Sequence, residues 1–229
     1  MKIGIIKEGK VPPDYRVALT PKQCKHIVDT YPEVEIFIQR SPIRTYTDTQ
    51  YENMGLPLVD NLSHCDVIIG VKEVNLEDLI PNKTFMFFSH TFKKQSYNRV
   101  LLEGILKKNI RLIDYEVIKD ERNIRLIGFG RYAGIVGCYN GFRTYGLKHK
   151  LYSLKPAHEC EDRKEVESEL KKVKLPDNFK MVLTGFGRVG HGAREIMSLL
   201  PIEEVKSEDY LSGDFSAPVF THLEVEHYF

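Results

Sequence analysis

The sequence predicts an α/β protein of two lobes, each built on a parallel β-sheet. Short apolar runs alternate with longer stretches of helical periodicity, which is the pattern that strand–helix–strand units produce. A glycine-rich turn, GFGRVG at 185–190, joins one apolar run to a helical stretch in the C-terminal part. Only one clear strand–helix unit lies in that part, so we expect the second lobe to be incomplete within this chain.

Residues 1–128 are expected to form the first lobe, which the sequence predicts to carry substrate and catalytic groups. The expected strands are 2–6, 34–38, 66–71, 84–89 and 110–115. A helix is predicted over 20–31, where Thr20 suits the N-cap and Pro21 the first helical position. A second helix is predicted over 94–109, with an apolar face and basic residues in its last turn.

Residues 129–150 are predicted to form an interdomain helix. The segment is rich in glycine, yet its apolar residues recur at helical spacing, and glycines let a second backbone pack closely. Residues 151–229 are expected to begin a nucleotide-binding domain. They contain a predicted surface helix over 161–174, a strand over 180–185 and a helix over 186–200.

The composition excludes several classes of protein. Among 229 residues, 33 Lys and Arg balance 32 Asp and Glu, so no basic face for nucleic acid is expected. No apolar run approaches the roughly 20 residues that cross a bilayer. The four cysteines are scattered without metal-ligand spacing. A cytoplasmic protein with reduced thiols and no structural metal is therefore expected.

Several reactive side chains follow the predicted strands of the first lobe. Lys72 and Glu73 follow strand 66–71, His90 follows 84–89, and Glu116 follows 110–115, while Arg16 lies in the loop after the first strand. Ligands of open α/β sheets bind beyond the carboxyl ends of the strands. Any one of these residues alone is more often a polar strand end, but together they indicate a site.

The chemistry that this set allows is acid–base. Burial beside a hydrophobic strand would lower the pKa of the Lys72 amine, and histidine is the side chain that titrates nearest to physiological pH. Glu73 and Glu116 would moderate both cations. Arg16 suits a substrate carboxylate, or equally a surface ion pair. No activated serine or cysteine pattern is present, so covalent catalysis is not indicated.

The glycine turn matches G-x-G-x-x-G after a predicted strand and before a predicted helix, the context that dinucleotide binding requires. The candidate cofactor contacts are Gly185, Gly187, Arg188, Val189 and Gly190. Glu208 and Asp209 are candidates for the acid that binds the ribose. The cofactor is predicted to be NAD or NADP, and an ordinary glycine-rich turn is the less favoured alternative.

Six motifs occur in the order of a known family. They are RVALTP (16–21), GVKE (70–73), FFSHT (87–91), IRLIDYE (110–116), FGRYAG (129–134) and GFGRVGHGA (185–193). The chain resembles the lysine-forming saccharopine dehydrogenases and the lysine–ketoglutarate reductase half of the bifunctional lysine-degrading enzyme. It is similar, more distantly, to alanine dehydrogenase and the related transhydrogenase subunit.

This resemblance implies two Rossmann-like lobes and an NAD(P)-linked reaction in the cleft between them. Lysine and 2-oxoglutarate would condense to an imine that hydride reduces to saccharopine, or the reverse. Lys72 would exchange a proton with the secondary amine, His90 would assist imine formation or hydrolysis, and Arg16 would bind a substrate carboxylate. The partners are then these small molecules, and the prediction leaves room for a homo-oligomer.

Two alternatives remain at this point. An alanine dehydrogenase-like enzyme would use Lys72 and His90 with ammonia in place of the lysine amine. A non-catalytic module would bind substrate or a partner without turnover. Family members continue beyond the length of this chain with further strands and a returning helix, so its cofactor site is expected to be incomplete.

Overall fold

A computed structural model describes all 229 residues of the chain. The chain divides into two compact units, Met1–Gly128 and Phe129–Phe229. No helix in either unit has the length and apolar character needed to cross a membrane.

The first unit is built on one six-stranded sheet. Its strands are β1 (Lys2–Ile5), β2 (Glu35–Gln39), β3 (Leu58–Val59), β4 (Val67–Ile69), β5 (Thr84–Phe87) and β6 (Arg111–Asp114). Their order across the sheet is β3-β2-β1-β4-β5-β6, and every pairing is parallel. This is the Rossmann-like arrangement that the sequence predicted, with the strand order reversing between β1 and β4.

Three α-helices accompany this sheet: α1 (Pro21–Thr30), α2 (Asp48–Glu52) and α3 (Arg99–Lys107). The start of α1 confirms the predicted cap, because the Thr20 hydroxyl accepts from the Gln23 backbone N–H and the Gln23 side chain accepts from the Thr20 N–H. The helix predicted over 94–109 begins late. Lys94 is left-handed, with φ +55°, and two single 3-10 turns precede α3.

Two hydrophobic clusters lie against the sheet, because side chains of parallel strands alternate between two covered faces. One contains Ile68, Phe85 and Phe87 and is covered by Leu101 and Ile105 of α3. The other contains Ile5, Ile36, Ile38 and Tyr51. The sequence missed β3 and α2, since elements of two and five residues carry too few positions for a periodic pattern.

The second unit has a smaller sheet of three parallel strands, β7 (Lys180–Thr184), β8 (Glu203–Glu204) and β9 (Val219–Leu223), in the order β7-β9-β8. Its helices are α4 (Gly130–His149), α5 (Arg163–Leu170), α6 (Arg188–Met197) and α7 (Ser207–Ser212). The expectation of a single strand here was wrong. The central strand β9 has four consecutive buried residues and therefore lacks the alternation that marks a half-buried strand.

Helices α4 and α6 pack backbone to backbone at glycines, as the sequence predicted for the glycine-rich segment. A Cβ added at Gly134 would lie 1.9 Å from the Val189 carbonyl oxygen, and one added at Gly192 would lie 2.0 Å from the Arg131 carbonyl oxygen. Backbone atoms cannot move away as a flexible side chain would. Glycine is therefore required at both positions.

Replacing Gly134 with alanine should destabilise the contact between α4 and α6 by about 1–3 kcal/mol, because the new methyl group overlaps backbone. Gly137→Ala is the matched control. Gly137 is exposed on α4 and its added Cβ would meet nothing within 4 Å. That control should be stabilising by about 0.5–1 kcal/mol through helix propensity. Native-state hydrogen exchange of the α6 amides measures both effects, and equal protection in the two variants would contradict the packing argument.

Candidate active site

The parallel register of the first sheet brings the predicted catalytic residues to one edge. Ile69 of β4 pairs with Met86 of β5, and Phe87 of β5 pairs with Asp114 of β6. The carboxyl ends of three adjacent strands therefore lie side by side. The segments that follow them carry Lys72 and Glu73, then His90, then Glu116.

His90 and Glu73 form the shortest contact between predicted site residues. The His90 Nδ1 lies 2.6 Å from the Glu73 Oε1, and Lys10 Nζ lies 2.9 Å from the Glu73 Oε2. Burial would raise the pKa of Glu73, but the hydrogen bonds from Lys10 and His90 outweigh it and the pKa is lowered. An ionised carboxylate only accepts hydrogen bonds, so Nδ1 of His90 carries the proton.

Glu116 approaches the other nitrogen of the same ring. Its side chain is buried, and its Oε1 receives Lys93 Nζ at 2.8 Å and Arg125 Nη1 at 3.3 Å. Its Oε2 is buried without a hydrogen-bond partner and lies 3.8 Å from the His90 Nε2. His90 therefore lies between two carboxylates, and the unsatisfied oxygen faces the ring nitrogen that Glu73 does not engage.

Lys72 is half-buried beside this group. Burial lowers the pKa of its amine, the positive charge of Arg16 lowers it further, and Glu73 acts in the opposite direction. Its Nζ lies 5.8 Å from the centre of the buried Phe88 ring. The amine is thus less basic than that of an ordinary lysine, which favours release of its proton.

Glu8 holds the backbone from which Lys72 projects. Its two carboxylate oxygens accept the N–H groups of Val71 and Lys72 at 2.7 and 2.8 Å. Burial raises the pKa of Glu8, although these two hydrogen bonds oppose the shift. Glu8 follows β1 and Lys72 follows β4. These two hydrogen bonds therefore join the ends of the two neighbouring strands between which the strand order reverses.

Arg16 is exposed and forms a two-pronged ion pair with Asp14. Its Nε lies 2.8 Å from the Asp14 Oδ1, and its Nη2 contacts the other oxygen. The hydrogen bond from Arg16 lowers the pKa of Asp14. Arg16 is therefore close enough to influence the Lys72 amine and is oriented by a carboxylate, which is the geometry that a substrate carboxylate would reproduce.

The backbone around His90 is held in an uncommon conformation. His90 has φ +56°, a left-handed geometry that costs a non-glycine residue about 1–2 kcal/mol. The Ser89 Oγ accepts the Thr91 N–H at 3.1 Å and donates to the Asp114 Oδ2 at 2.5 Å. Asp114 Oδ1 also accepts the Glu116 N–H at 2.9 Å. The buried Ser89–Asp114 pair thus joins the turn of His90 to that of Glu116.

Sequence reasoning missed several members of this network. The strand-end rule could have selected Glu8, which follows β1 as Lys72 follows β4. Lys10, Lys93 and Arg125 come from loops, and no local pattern indicates which loop cation will reach a given carboxylate. Asp114 is the last residue of β6, and a buried acid next to a buried serine is a signal for a hydrogen-bonded pair.

The glycine turn lies in the second unit, between β7 and α6. Gly185 has φ +84°, Gly187 is the N-cap of α6, and a Cβ added at either would meet nothing within 4 Å. A Cβ at Gly190 would lie 1.8 Å from the Gly185 carbonyl oxygen, so this third glycine permits close helix–turn packing. Since no side chain caps α6, its first N–H groups are available to an anion, and the turn fits a dinucleotide pyrophosphate.

The other residues predicted to contact the cofactor are exposed. Arg188 and Val189 begin α6 and are exposed, and Glu208 and Asp209 are exposed in the first turn of α7. Nowhere in the chain do three or more His, Cys, Asp or Glu side chains group closely enough to hold a metal ion. The four cysteine thiols are free, and burial raises the pKa of both Cys24 and Cys138 to about 12.

Comparison with known proteins gives curated relatives and solved structures. The chain is 35% identical over 211 residues to the mitochondrial alpha-aminoadipic semialdehyde synthase of Bos taurus, covering 85% of this chain and 23% of that protein. It is 27% identical over 221 residues to the saccharopine dehydrogenase [NAD(+), L-lysine-forming] of Yarrowia lipolytica, covering 89% of this chain and 58% of that protein. The chain thus spans about a quarter of the first relative and somewhat more than half of the second.

A solved L-alanine dehydrogenase matches with a TM-score of 0.63 at 18% identity, covering 96% of this chain and 60% of that one, which shows a shared fold. The family model described as "Alanine dehydrogenase/PNT, N-terminal domain" matches residues 4–136, more than half of the chain. That range includes every member of the carboxylate and cation group around His90. The chain belongs to the family of the alanine dehydrogenase/PNT N-terminal domain.

Proposed function

We propose that this chain provides the acid–base residues of an NAD(P)-linked oxidoreductase that acts on the CH–NH bond of saccharopine. The observation that carries the proposal is the hydrogen bond from His90 to Glu73 beside the Lys72 amine, whose pKa is lowered. The relative named as a lysine-forming saccharopine dehydrogenase supports the choice of substrate.

In the reductive direction, the ε-amine of lysine adds to the ketone carbon of 2-oxoglutarate, and loss of water from the adduct gives an imine. NAD(P)H, when bound, supplies the hydride that reduces the imine carbon. Amine addition, loss of water and protonation of the product amine each include a proton transfer. The residues must therefore deliver or accept protons on both the oxygen and the nitrogen of the reacting centre.

His90 suits the proton transfers on oxygen. With Nδ1–H donated to Glu73, its Nε2 is left to take or give a proton, and the Oε2 of Glu116 lies 3.8 Å from that nitrogen. Each of the two carboxylates lies within 4 Å of one ring nitrogen, Glu73 at 2.6 Å and Glu116 at 3.8 Å. His90 would therefore remove a proton during addition and return it to the departing water.

Lys72 suits the transfer on nitrogen. A lysine amine of ordinary pKa would remain protonated at neutral pH, whereas burial and the charge of Arg16 favour release of its proton. Lys72 would then hold the proton that the secondary amine gains or loses. Arg16 would exchange Asp14 for a substrate carboxylate and keep its two-pronged geometry.

The glycine turn would hold the cofactor. Gly185, Gly187 and Gly190 leave the N-terminus of α6 open to a pyrophosphate, with Arg188 and Val189 at its first positions. Neither Glu208 nor Asp209 has a contact that distinguishes NAD from NADP, so either cofactor is consistent with the proposal.

An alanine dehydrogenase-like reaction is the second candidate. The family model that matches residues 4–136 is named for alanine dehydrogenase, and the same Lys72 and His90 could act on pyruvate and ammonia. The two reactions differ in the amine, lysine against ammonia, and in the keto acid, 2-oxoglutarate against pyruvate. The choice is therefore an experimental one.

The Lys72 amine should titrate below the pH at which a lysine model peptide titrates. Burial and the charge of Arg16 both disfavour its protonated form, so Arg16→Gln should shift the titration upward. NMR of the ¹³C-methylated protein measures this shift. Arg99→Gln is the control, because Arg99 pairs with Glu103 on the surface of α3. Titration of Lys72 at or above the pH of the model peptide would contradict the role assigned to it.

Lys72→Met and His90→Gln should each reduce kcat by about 10²–10⁴-fold, the usual contribution of a general acid or base. Lys22→Met and His26→Gln are the matched controls, since both residues are exposed on α1. Circular dichroism should show that all four variants fold. Normal turnover by both site variants would refute the acid–base assignment.

The full-length gene product should consume NADH or NADPH with lysine plus 2-oxoglutarate and not with pyruvate plus ammonia. Loss of absorbance at 340 nm follows both reactions and identifies the cofactor. Turnover with pyruvate and ammonia alone would favour the second candidate. Saturable NADH binding without turnover of either pair would indicate a binding module instead of an enzyme.

A further inference from the structure

His222 is a buried histidine that the acid–base chemistry does not use. It lies in the central strand β9 of the second unit, and its ring stacks on that of Phe186, with centres 3.7 Å apart and planes 11° from parallel. Its Nε2 lies 2.9 Å from the Gly185 carbonyl oxygen. Both contacted residues belong to the glycine turn between β7 and α6.

The partners of the ring select one form of the imidazole. A carbonyl oxygen only accepts, so Nε2 carries the hydrogen, and Nδ1 is left to accept from the Arg194 Nη1 at 3.3 Å. Arg194 in turn forms an ion pair with Glu204 of β8. The neutral ring with hydrogen on Nε2 satisfies both neighbours, and a second hydrogen on Nδ1 would oppose the guanidinium.

These contacts act on the first two residues of the turn, Gly185 and Phe186. Gly185 is left-handed, with φ +84°, and its carbonyl oxygen lies between the His222 ring and the backbone of Gly190. Phe186 is 42% exposed, so the stack on His222 supports the side of its ring that solvent does not reach. Gly187, the next residue, is the N-cap of α6.

We propose that His222 is a positioning residue for dinucleotide binding. By holding the Gly185 carbonyl and the Phe186 ring, it keeps the first N–H groups of α6 in place for the pyrophosphate of NADH or NADPH. The inference rests on the proposed cofactor role of the glycine turn and adds to it a residue of β9, outside the G-x-G-x-x-G pattern.

The first test measures NADH and NADPH binding by fluorescence titration of the full-length gene product. His222→Leu should raise the Kd about tenfold, because the turn loses both its hydrogen bond and its stacking partner. His222→Gln can still donate to Gly185 and accept from Arg194, so its Kd should lie between that of the wild type and that of His222→Leu. His158→Leu, at an exposed position, is the matched control and should leave the Kd unchanged.

A second measurement follows the backbone dynamics of the turn in the absence of cofactor. Hydrogen exchange of the backbone amides at 186–188 should be faster in His222→Leu than in the wild type and close to normal in His222→Gln. If His222→Leu does not fold, Phe186→Leu removes the stack from the exposed side and should also speed exchange and raise the Kd.

The outcomes separate the two proposals. Wild-type binding with the same Kd in His222→Leu would overturn the positioning role and leave the cofactor role intact. A raised Kd with unchanged exchange would also overturn it, because the loss of affinity would not then come through the turn. Absence of binding by the wild type would overturn the cofactor role of the turn and this inference with it.

Discussion

The parallel pairing of β4 with β5 and of β5 with β6 is the constraint on which the candidate active site depends. Hydrogen bonds from the Gly70 N–H to the Met86 carbonyl and from the Phe88 N–H to the Val71 carbonyl extend the β4–β5 pairing beyond the strands themselves. The two backbones therefore stay hydrogen-bonded, with a one-residue shift at Gly70–Val71, up to the point where Lys72, Glu73 and His90 leave the sheet. A slip of one residue within β4 or β5 would reverse the face of every side chain in that strand, so the core that fixes their register also fixes the candidate site residues that follow them.

The charges at this edge stabilise one another. Two carboxylates approach His90 from opposite sides, and each also has a cation: Lys10 pairs with Glu73, and Lys93 pairs with Glu116. Burying a carboxylate without such a partner costs free energy, because the charged group loses its hydration. The loop cations thus offset the negative charge of both acids, while the Nε2 of His90 has only its 3.8 Å contact with Glu116 and is open to the proposed proton transfer.

The first sheet and the grouping of polar residues at its carboxyl edge could be predicted largely from sequence, because strands such as 84–89 are apolar and end abruptly in polar residues. The short strands β3 and β8 carry two residues each, too few for any pattern. The supports of the site were also beyond sequence reasoning. Whether Arg125 reaches Glu116, or His222 reaches Gly185, depends on the path of a loop or on the order of strands, and neither has a local signature.

Both units contain a left-handed turn held by a buried polar group, but the left-handed residue is a histidine in one unit and a glycine in the other. In each, a turn at the carboxyl end of a parallel strand is left-handed and is held by a buried polar group from a neighbouring strand: Asp114 acts through Ser89 on the turn of His90, and His222 acts on Gly185. At Gly185 the residue with the least strain is present, and it permits the close backbone approach that the proposed pyrophosphate site requires. At His90 a glycine would remove the strain, yet an imidazole stands there between two carboxylates. Strain that several buried hydrogen bonds hold in place is a physical reason to propose a chemical role for His90 rather than the closing of a strand.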